Sequence, residues 1–342
     1  MLKLAIVILN WNGKEMMQKY LPSVIECSKM EGVEIIVADN DSTDGSVKML
    51  HQNFPDIRTI VLDRNYGFAD GYNRALENVE AEYYLLLNSD VEIRQKEWVK
   101  PMIEYMDKHP QTGACQPKLL SLKHPDEFEY AGGAGGFIDK YGYPFCRGRV
   151  FHVVEKDKGQ YDDTVPLLWA TGAALFVRAE DYWYAGGLDG RFFAHMEEID
   201  LCWRIRTLGK SIVCIPQSTA YHLGGATLGK ENPRKTFLNF RNNLLMLYKN
   251  LPEKELHTVM RTKYWLDMLA AFVFLLKGET GNFKAVWRAR KEFEQIKKNF
   301  ADDRVRNLSR CKTKHIPERK NYSILWQFYV KGHKTFKDLN PA

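Results

Sequence analysis

From Leu4 to Asp90 the chain alternates short apolar runs with longer stretches in which apolar residues recur every three or four positions. The runs, at residues 4–9, 34–38, 59–62 and 83–87, have the length and composition of strands, and the stretches between them, at 16–28, 46–52 and 69–79, have helical spacing. This repeated βαβ rhythm predicts an α/β fold, a parallel sheet with helices on both faces. Ligands of such sheets bind beyond the carboxyl ends of the strands. Those ends read Asn10-Trp11-Asn12-Gly13, Asp39-Asn40-Asp41-Ser42, Asp63-Arg64-Asn65 and Asn88-Ser89-Asp90, all of them polar.

Residues 114–230 are less regular and richer in glycine. The segment Ala131-Gly132-Gly133-Ala134-Gly135-Gly136 reads as a mobile loop over a site. It lacks the G-x-G-x-x-G spacing, which argues against a nicotinamide dehydrogenase. An apolar run at 166–177, a helix at 199–208 opened by acidic residues and a strand at 212–215 follow, and residues 234–300 read as two or three helices.

A composition of 45% hydrophobic and 27% charged residues over 342 positions excludes a disordered or fibrous chain. The six cysteines form no C-x-x-C pair, so a zinc ribbon is not expected and a reduced, cytoplasmic setting is the simplest reading. The first apolar run is too short for a secretory signal, and no apolar stretch reaches a membrane-spanning length. Charge is unevenly placed: residues 231–342 hold 24 Lys and Arg against 11 Asp and Glu, whereas the whole chain carries only +6. An acidic body with a basic tail suggests an anionic partner for the tail, either nucleic acid or a membrane surface.

Five blocks carry candidate chemistry. Ser42 or Thr43 can cap a following helix, which leaves Asp39 as an acceptor suited to a nucleobase N–H. In the block from Asn65 to Ala75, Gly67 and Gly71 would let backbone approach a ligand, and phosphate favours a helix start. Asp90 ends an apolar strand, where it either caps a turn or faces a divalent cation on a diphosphate. Glu197, Glu198 and Asp200 suit a helix N-terminus, yet a carboxyl crowded by like charge beside Phe192 and Phe193 also suits general-base work. His222, in Tyr221-His222-Leu223-Gly224-Gly225, is either a structural histidine or a metal ligand.

In this order and spacing the blocks resemble the inverting family 2 glycosyltransferases of the GT-A type, specifically the bacterial rhamnosyltransferase-like branch of surface polysaccharide synthesis, over residues 2 to about 250. The resemblance implies a Rossmann-like, mostly parallel sheet in a catalytic domain over 1–230, with a nucleotide-binding half at 1–113 and an acceptor half at 114–230. A basic helical extension over 231–342 completes the chain. It implies a nucleotide-diphosphate donor (dTDP-rhamnose or a UDP-sugar), a glycan or lipid-linked acceptor, and Mg²⁺ or Mn²⁺. Asp39 would contact the base, and Asn65 and Asn73 would shape the nucleotide pocket. Asp90 matches the last carboxylate of the D-x-D motif and His222 the second metal ligand. Glu198 takes the catalytic-base position, Gly172 lies in the segment beside the donor sugar, and Arg241 would approach the diphosphate. Asn88 stands where the motif has its first Asp, and Glu198 where an Asp is more usual.

Residues 264–276 are the most apolar stretch, too short to span a bilayer, with Arg261, Lys263 and Lys277 at its flanks and further cations to Lys298. It reads either as a helix buried against the catalytic domain or as one resting on an anionic membrane, which would make the enzyme peripheral on the inner face of the cytoplasmic membrane. A nucleic-acid partner is disfavoured because no helix-turn-helix, RRM or zinc signature is present. An inactive nucleotide-sugar-binding partner of a glycan assembly complex is the alternative reading, and the oligomeric state is left open.

Overall fold

The structure, a computed structural model, describes residues 2–224 and 232–339. Strands β1 (Leu2–Asn10), β2 (Val33–Asp39), β3 (Arg58–Val61) and β4 (Ala81–Asn88) alternate with α1 (Lys14–Cys27), α2 (Ser46–Asn53) and α3 (Gly67–Leu76), and they pair in parallel as the rhythm predicts. Next come β5 (Val91–Glu92), α4 (Lys100–Lys108) and β6 (Thr112–Ser121). A small antiparallel sheet then forms from β7 (Gly136–Ile138), β8 (Pro144–Cys146), β9 (Arg149–Val150) and β10 (Val153–Val154). The chain returns to the main sheet with β11 (Val165–Pro166), β12 (Ala174–Arg178) and, after α5 (Ala179–Tyr184) and α6 (Glu197–Thr207), with β13 (Ser211–His222).

The main sheet runs β11-β13-β6-β12-β4-β1-β2-β3, with β5 beside β13. It is mostly parallel; β12 is inserted antiparallel between β4 and β6. Side-chain alternation along β1 decides which helices pack where. Leu4, Ile6 and Ile8 point to the face covered by Met17, Leu21 and Trp98, and Ala5 and Val7 to the face covered by α3. Register brings Asn10 opposite Asp39 and Leu9 opposite Asn88, so the polar strand ends share one edge.

Two expectations change. Residues 132–136 are buried, not a loop over a site, and glycine is needed there for packing: a Cβ on Gly135 would meet Leu167 at 2.2 Å and one on Gly136 would meet Trp169 at 2.1 Å. The apolar run at 166–177 is not one element. It divides between β11 and β12, with buried irregular backbone between them that carries Thr171 and Gly172 past the strand ends.

Within 234–300 the structure has three helices, α7 (Pro233–Asn250), α8 (Glu253–Leu276) and α9 (Thr280–Ile296), followed by α10 (Ala301–Ser309), α11 (Ile324–Tyr329) and α12 (Phe336–Leu339). Leu244, Leu247, Phe293 and Phe336 of this region share one hydrophobic core with Leu201 and Ile205 of α6. The proposed boundary between residues 230 and 231, and Gly225 of the histidine block, lie outside the described residues.

Candidate active site

At the edge formed by β1 and β2, Asp39 is fully buried. Its Oδ2 accepts from Asn10 Nδ2 at 2.8 Å and its Oδ1 from the Ser42 N–H at 2.8 Å. Ser42 and Thr43 do not cap α2. That helix starts after Gly45 at φ 83°, and Asp44 accepts from the Ser46 N–H instead. Asn65 lies in the next loop, where its Oδ1 accepts from Asn40 Nδ2 (3.1 Å) and from the Gly67 N–H (2.8 Å). Asn40, unmarked in the sequence except as the neighbour of Asp39, also accepts from the Tyr66 N–H and thereby sets that loop. Asn73 lies within α3. Its amide donates to Leu188 O (2.7 Å) and accepts from Tyr182 Oη (2.6 Å), tying α3 to residues 182–188.

At the start of α3 the N–H groups of Gly67, Phe68 and Ala69 already have partners within the protein. Phe193 O accepts from the N–H groups of Phe68 (2.8 Å) and Ala69 (3.3 Å), and a Cβ on Gly67 would meet the Phe193 ring at 2.5 Å. Gly67, at φ 76°, therefore serves close packing against Phe193.

Asp90 and His222, 132 positions apart, lie side by side because β5 pairs antiparallel with the end of β13, placing His222 opposite Val91. Asp90 Oδ1 is 3.1 Å from His222 Nε2, and Asn88 Nδ2 is 3.3 Å from the same nitrogen. Glu129, which no motif marked, holds Oε1 3.3 Å from His222 Nδ1. Burial works against the imidazolium, but the two carboxylates outweigh it and push the His222 pKa up to about 10. Burial likewise opposes charge on Asp90, and His222 reverses this to hold its carboxyl below the usual range.

The donor set of one carboxylate and one imidazole, converging at 3.1 Å, fits a divalent cation that takes its other ligands from diphosphate oxygens and water. Among the described residues no group of three or more His, Cys, Asp or Glu side chains is placed to hold an ion alone. Asn88, in the first position of the motif, adds an amide and no charge.

The turn before α6 is strained: Phe193, His195 and Met196 have φ of 65°, 71° and 71°, each costing about 1–3 kcal/mol. Asn242 of α7 holds it by donating to Phe192 O, Ala194 O and His195 O at 2.8–2.9 Å. Arg241 joins this clamp. Its guanidinium donates to Arg191 O, Phe192 O and Glu292 Oε1. Asp200 is structural, fully buried against Arg204, Lys249 and Asn250 at 2.8–2.9 Å.

Glu198 follows this turn. Its Oε2 has no hydrogen-bond partner, and burial pushes its pKa up to about 7 although backbone N–H groups partly oppose the shift. Glu197 is more deeply buried, and its pKa is raised well above the ordinary value by burial first and then by repulsion from Glu198 and Asp200. A Cβ on Gly172 would lie 3.6 Å from Glu198 Cδ, so the segment assigned to the donor sugar borders the assigned base. His195, half-buried with its Nε2 enclosed and unpartnered, has its pKa lowered to about 4 by desolvation and by the charge of Lys235 and is neutral.

Residues 5–154 match the family model described as Glycosyl transferase family 2. A protein of Mycobacterium tuberculosis named N-acetylglucosaminyl-diphospho-decaprenol L-rhamnosyltransferase is 22% identical over 250 residues, covering 67% of this chain and 78% of that protein. Among solved structures, S. aureus TarS 1–349 in complex with UDP-GlcNAc superposes with a TM-score of 0.57 at 15% identity, covering 90% of this chain and 89% of that one. The mannosyltransferase PcManGT of Pyrobaculum calidifontis, in complex with GDP-Man and Mn²⁺, gives a TM-score of 0.52 at 13% identity, covering 90% and 85%. Residues 5–154 thus carry the glycosyl transferase family 2 likeness, and the mixed α/β architecture is that of the GT-A type.

Proposed function

We propose that this chain is a family 2 glycosyltransferase that transfers a sugar, with inversion, from a nucleotide-diphosphate donor to a hydroxyl of a glycan or lipid-linked acceptor. The observation that carries the reading is Glu198: a carboxyl with an unpartnered oxygen, raised to about 7 and set against Gly172, at the end of the fold where Asp90 meets His222. Ionised Glu198 takes the proton from the acceptor hydroxyl as that oxygen bonds to the anomeric carbon. The bond from that carbon to the diphosphate breaks on the opposite face, and the electron pair leaves with the nucleoside diphosphate.

Asp90 and His222 would hold Mg²⁺ or Mn²⁺, whose charge stabilises the leaving diphosphate. As a ligand, His222 would have to be in its neutral form. Trp11, exposed at the end of β1 beside the Asn10 and Asp39 pair, offers a ring face to a nucleobase. Both Asp39 oxygens already have partners, so base recognition there uses its remaining lone pairs or displaces the Ser42 turn.

The name of the mycobacterial relative supports a rhamnosyl donor and a lipid-linked acceptor. With such an acceptor, transfer takes place at a membrane surface, on the inner face of the cytoplasmic membrane. The test is a screen of dTDP-rhamnose, UDP-sugars and GDP-sugars for thermal stabilisation with and without Mn²⁺, followed by transfer assays with the donor that binds. Stabilisation by a nucleotide sugar and turnover with inversion are expected; binding of none of these donors would refute the reading.

A further inference from the structure

Helix α8 is built with its polarity reversed. The stripe facing the protein contains Lys263 and Asp267, buried and paired at 2.6 Å, with Arg290 of α9 closing the network on Asp267 at 2.6 Å. The stripe facing outward is apolar: Trp265, Leu269, Phe272 and Leu276, spaced along one helix face, are 68%, 59%, 54% and 71% exposed. A helix on a water-facing surface normally places these classes the other way round. Trp287 of α9, also exposed, extends the apolar surface onto the adjoining helix. Contiguous exposed apolar surface of this kind marks an interaction site.

Charge around the patch identifies the occupant. Arg261 and Lys277 bracket the α8 stripe, and Lys284, Arg288 and Lys291 lie exposed along α9. The exposed acid Glu294 on the same helix is paired with Lys297 at 2.5 Å. A second copy of the chain meeting this face by two-fold symmetry would set cation rim against cation rim. Nucleic acid would not use the apolar stripe. Tryptophan and leucine flanked by lysine and arginine suit the boundary between headgroups and acyl chains, and among the described residues no helix is long and apolar enough to cross a membrane.

We propose that the outward face of α8 and α9 docks on an anionic lipid bilayer, with the α8 stripe in the acyl boundary and the α9 cations on the headgroup phosphates. This deepens the lipid-linked acceptor reading but stands on its own surface. It is also coupled to the site: α9 packs on α7, where Arg288 lies over the Phe237 ring and Glu292 pairs with Arg241 of the clamp on the turn before Glu198.

The test is sedimentation of the full chain with vesicles of phosphatidylcholine alone or mixed with phosphatidylglycerol, at low and physiological salt. Binding to the mixed vesicles is expected, weakened by salt and reduced at least tenfold by Leu269→Glu. Lys291→Glu is expected to reduce it more than fivefold, since each cation near such a surface contributes about fivefold. Both positions are exposed, so circular dichroism and donor binding should match the parent. No binding to anionic vesicles, or binding that neither variant weakens, overturns the proposal. So does a dimer in light scattering that Leu269→Glu dissociates without any vesicle binding. Vesicle binding without sugar transfer would overturn the transferase reading and leave the docking surface standing.

Discussion

The Nδ1 of His222 lies 3.3 Å from Oε1 of Glu129, a buried carboxylate from a segment between the two sheets, while the opposite ring nitrogen faces Asp90. A carboxylate behind a ligating imidazole fixes the ring and its tautomer, and removing such a partner typically costs 10–100-fold in metal affinity. Glu129→Gln is expected to weaken Mn²⁺ binding about 10–100-fold, read by titration calorimetry with the nucleoside diphosphate present. Unchanged affinity would mean that Glu129 only packs.

Glu198→Gln is expected to retain donor binding and to lower kcat by about 10²–10⁴-fold. In the parent, activity should rise with pH and level off above about 7, because the base works only when ionised. A flat profile from pH 5 to 9, or full activity in the variant, would remove Glu198 from the reaction.

The same group should leave a mark on stability. Its folded pKa of about 7 lies above its ordinary value of 4.5, so its stabilising contribution is complete below 4.5 and is lost as pH rises through 7. Glu198→Gln should therefore melt higher than the parent at pH 8 and close to it at pH 4. Scanning calorimetry at the two pH values checks this.

Asn242→Ala removes the amide shared by three carbonyls of the turn before α6. We expect kcat to fall at least tenfold with donor affinity within about twofold, and stability to drop by about 1–3 kcal/mol. Equal losses in kcat and donor affinity would show general unfolding and not misplacement of Glu198.

Lys249→Met leaves the buried Asp200 with Arg204 as its one remaining charged partner beside the Asn250 amide, and takes a partner from Asp189, which lies 2.7 Å from the same ammonium. Breaking a buried pair in this way costs about 3–5 kcal/mol. Urea denaturation should show that loss; a change below 1 kcal/mol would mean the network is dispensable.

Much of the architecture could be read before any coordinates. The continuous apolar run from Leu4 to Leu9 predicts a strand buried on both faces, and Leu4, Ile6 and Ile8 fill one face while Ala5 and Val7 fill the other. The return of helical spacing after each strand dictates parallel pairing, because a crossover helix must carry the chain back. Asn10, Asp39, Asn88 and Asp90 were consequently placed at one edge by chain order alone.

The contacts that turn this edge into a site involve partners far apart in the chain, and periodicity carries no information about which loops meet. His222 reaches Asp90 only through the pairing of β5 with β13, and Glu129 reaches His222 only because its segment packs beneath that pair. Arg241 is committed to backbone carbonyls some fifty positions earlier, and Gly67 makes room for Phe193, 126 positions later. Local pattern specified the strands, helices and polar ends, because these depend on neighbours within a few residues. Tertiary packing alone decided which polar groups are satisfied and which, like the Glu198 oxygen, are left without a partner and raised toward neutrality, because desolvation depends on everything that surrounds a group.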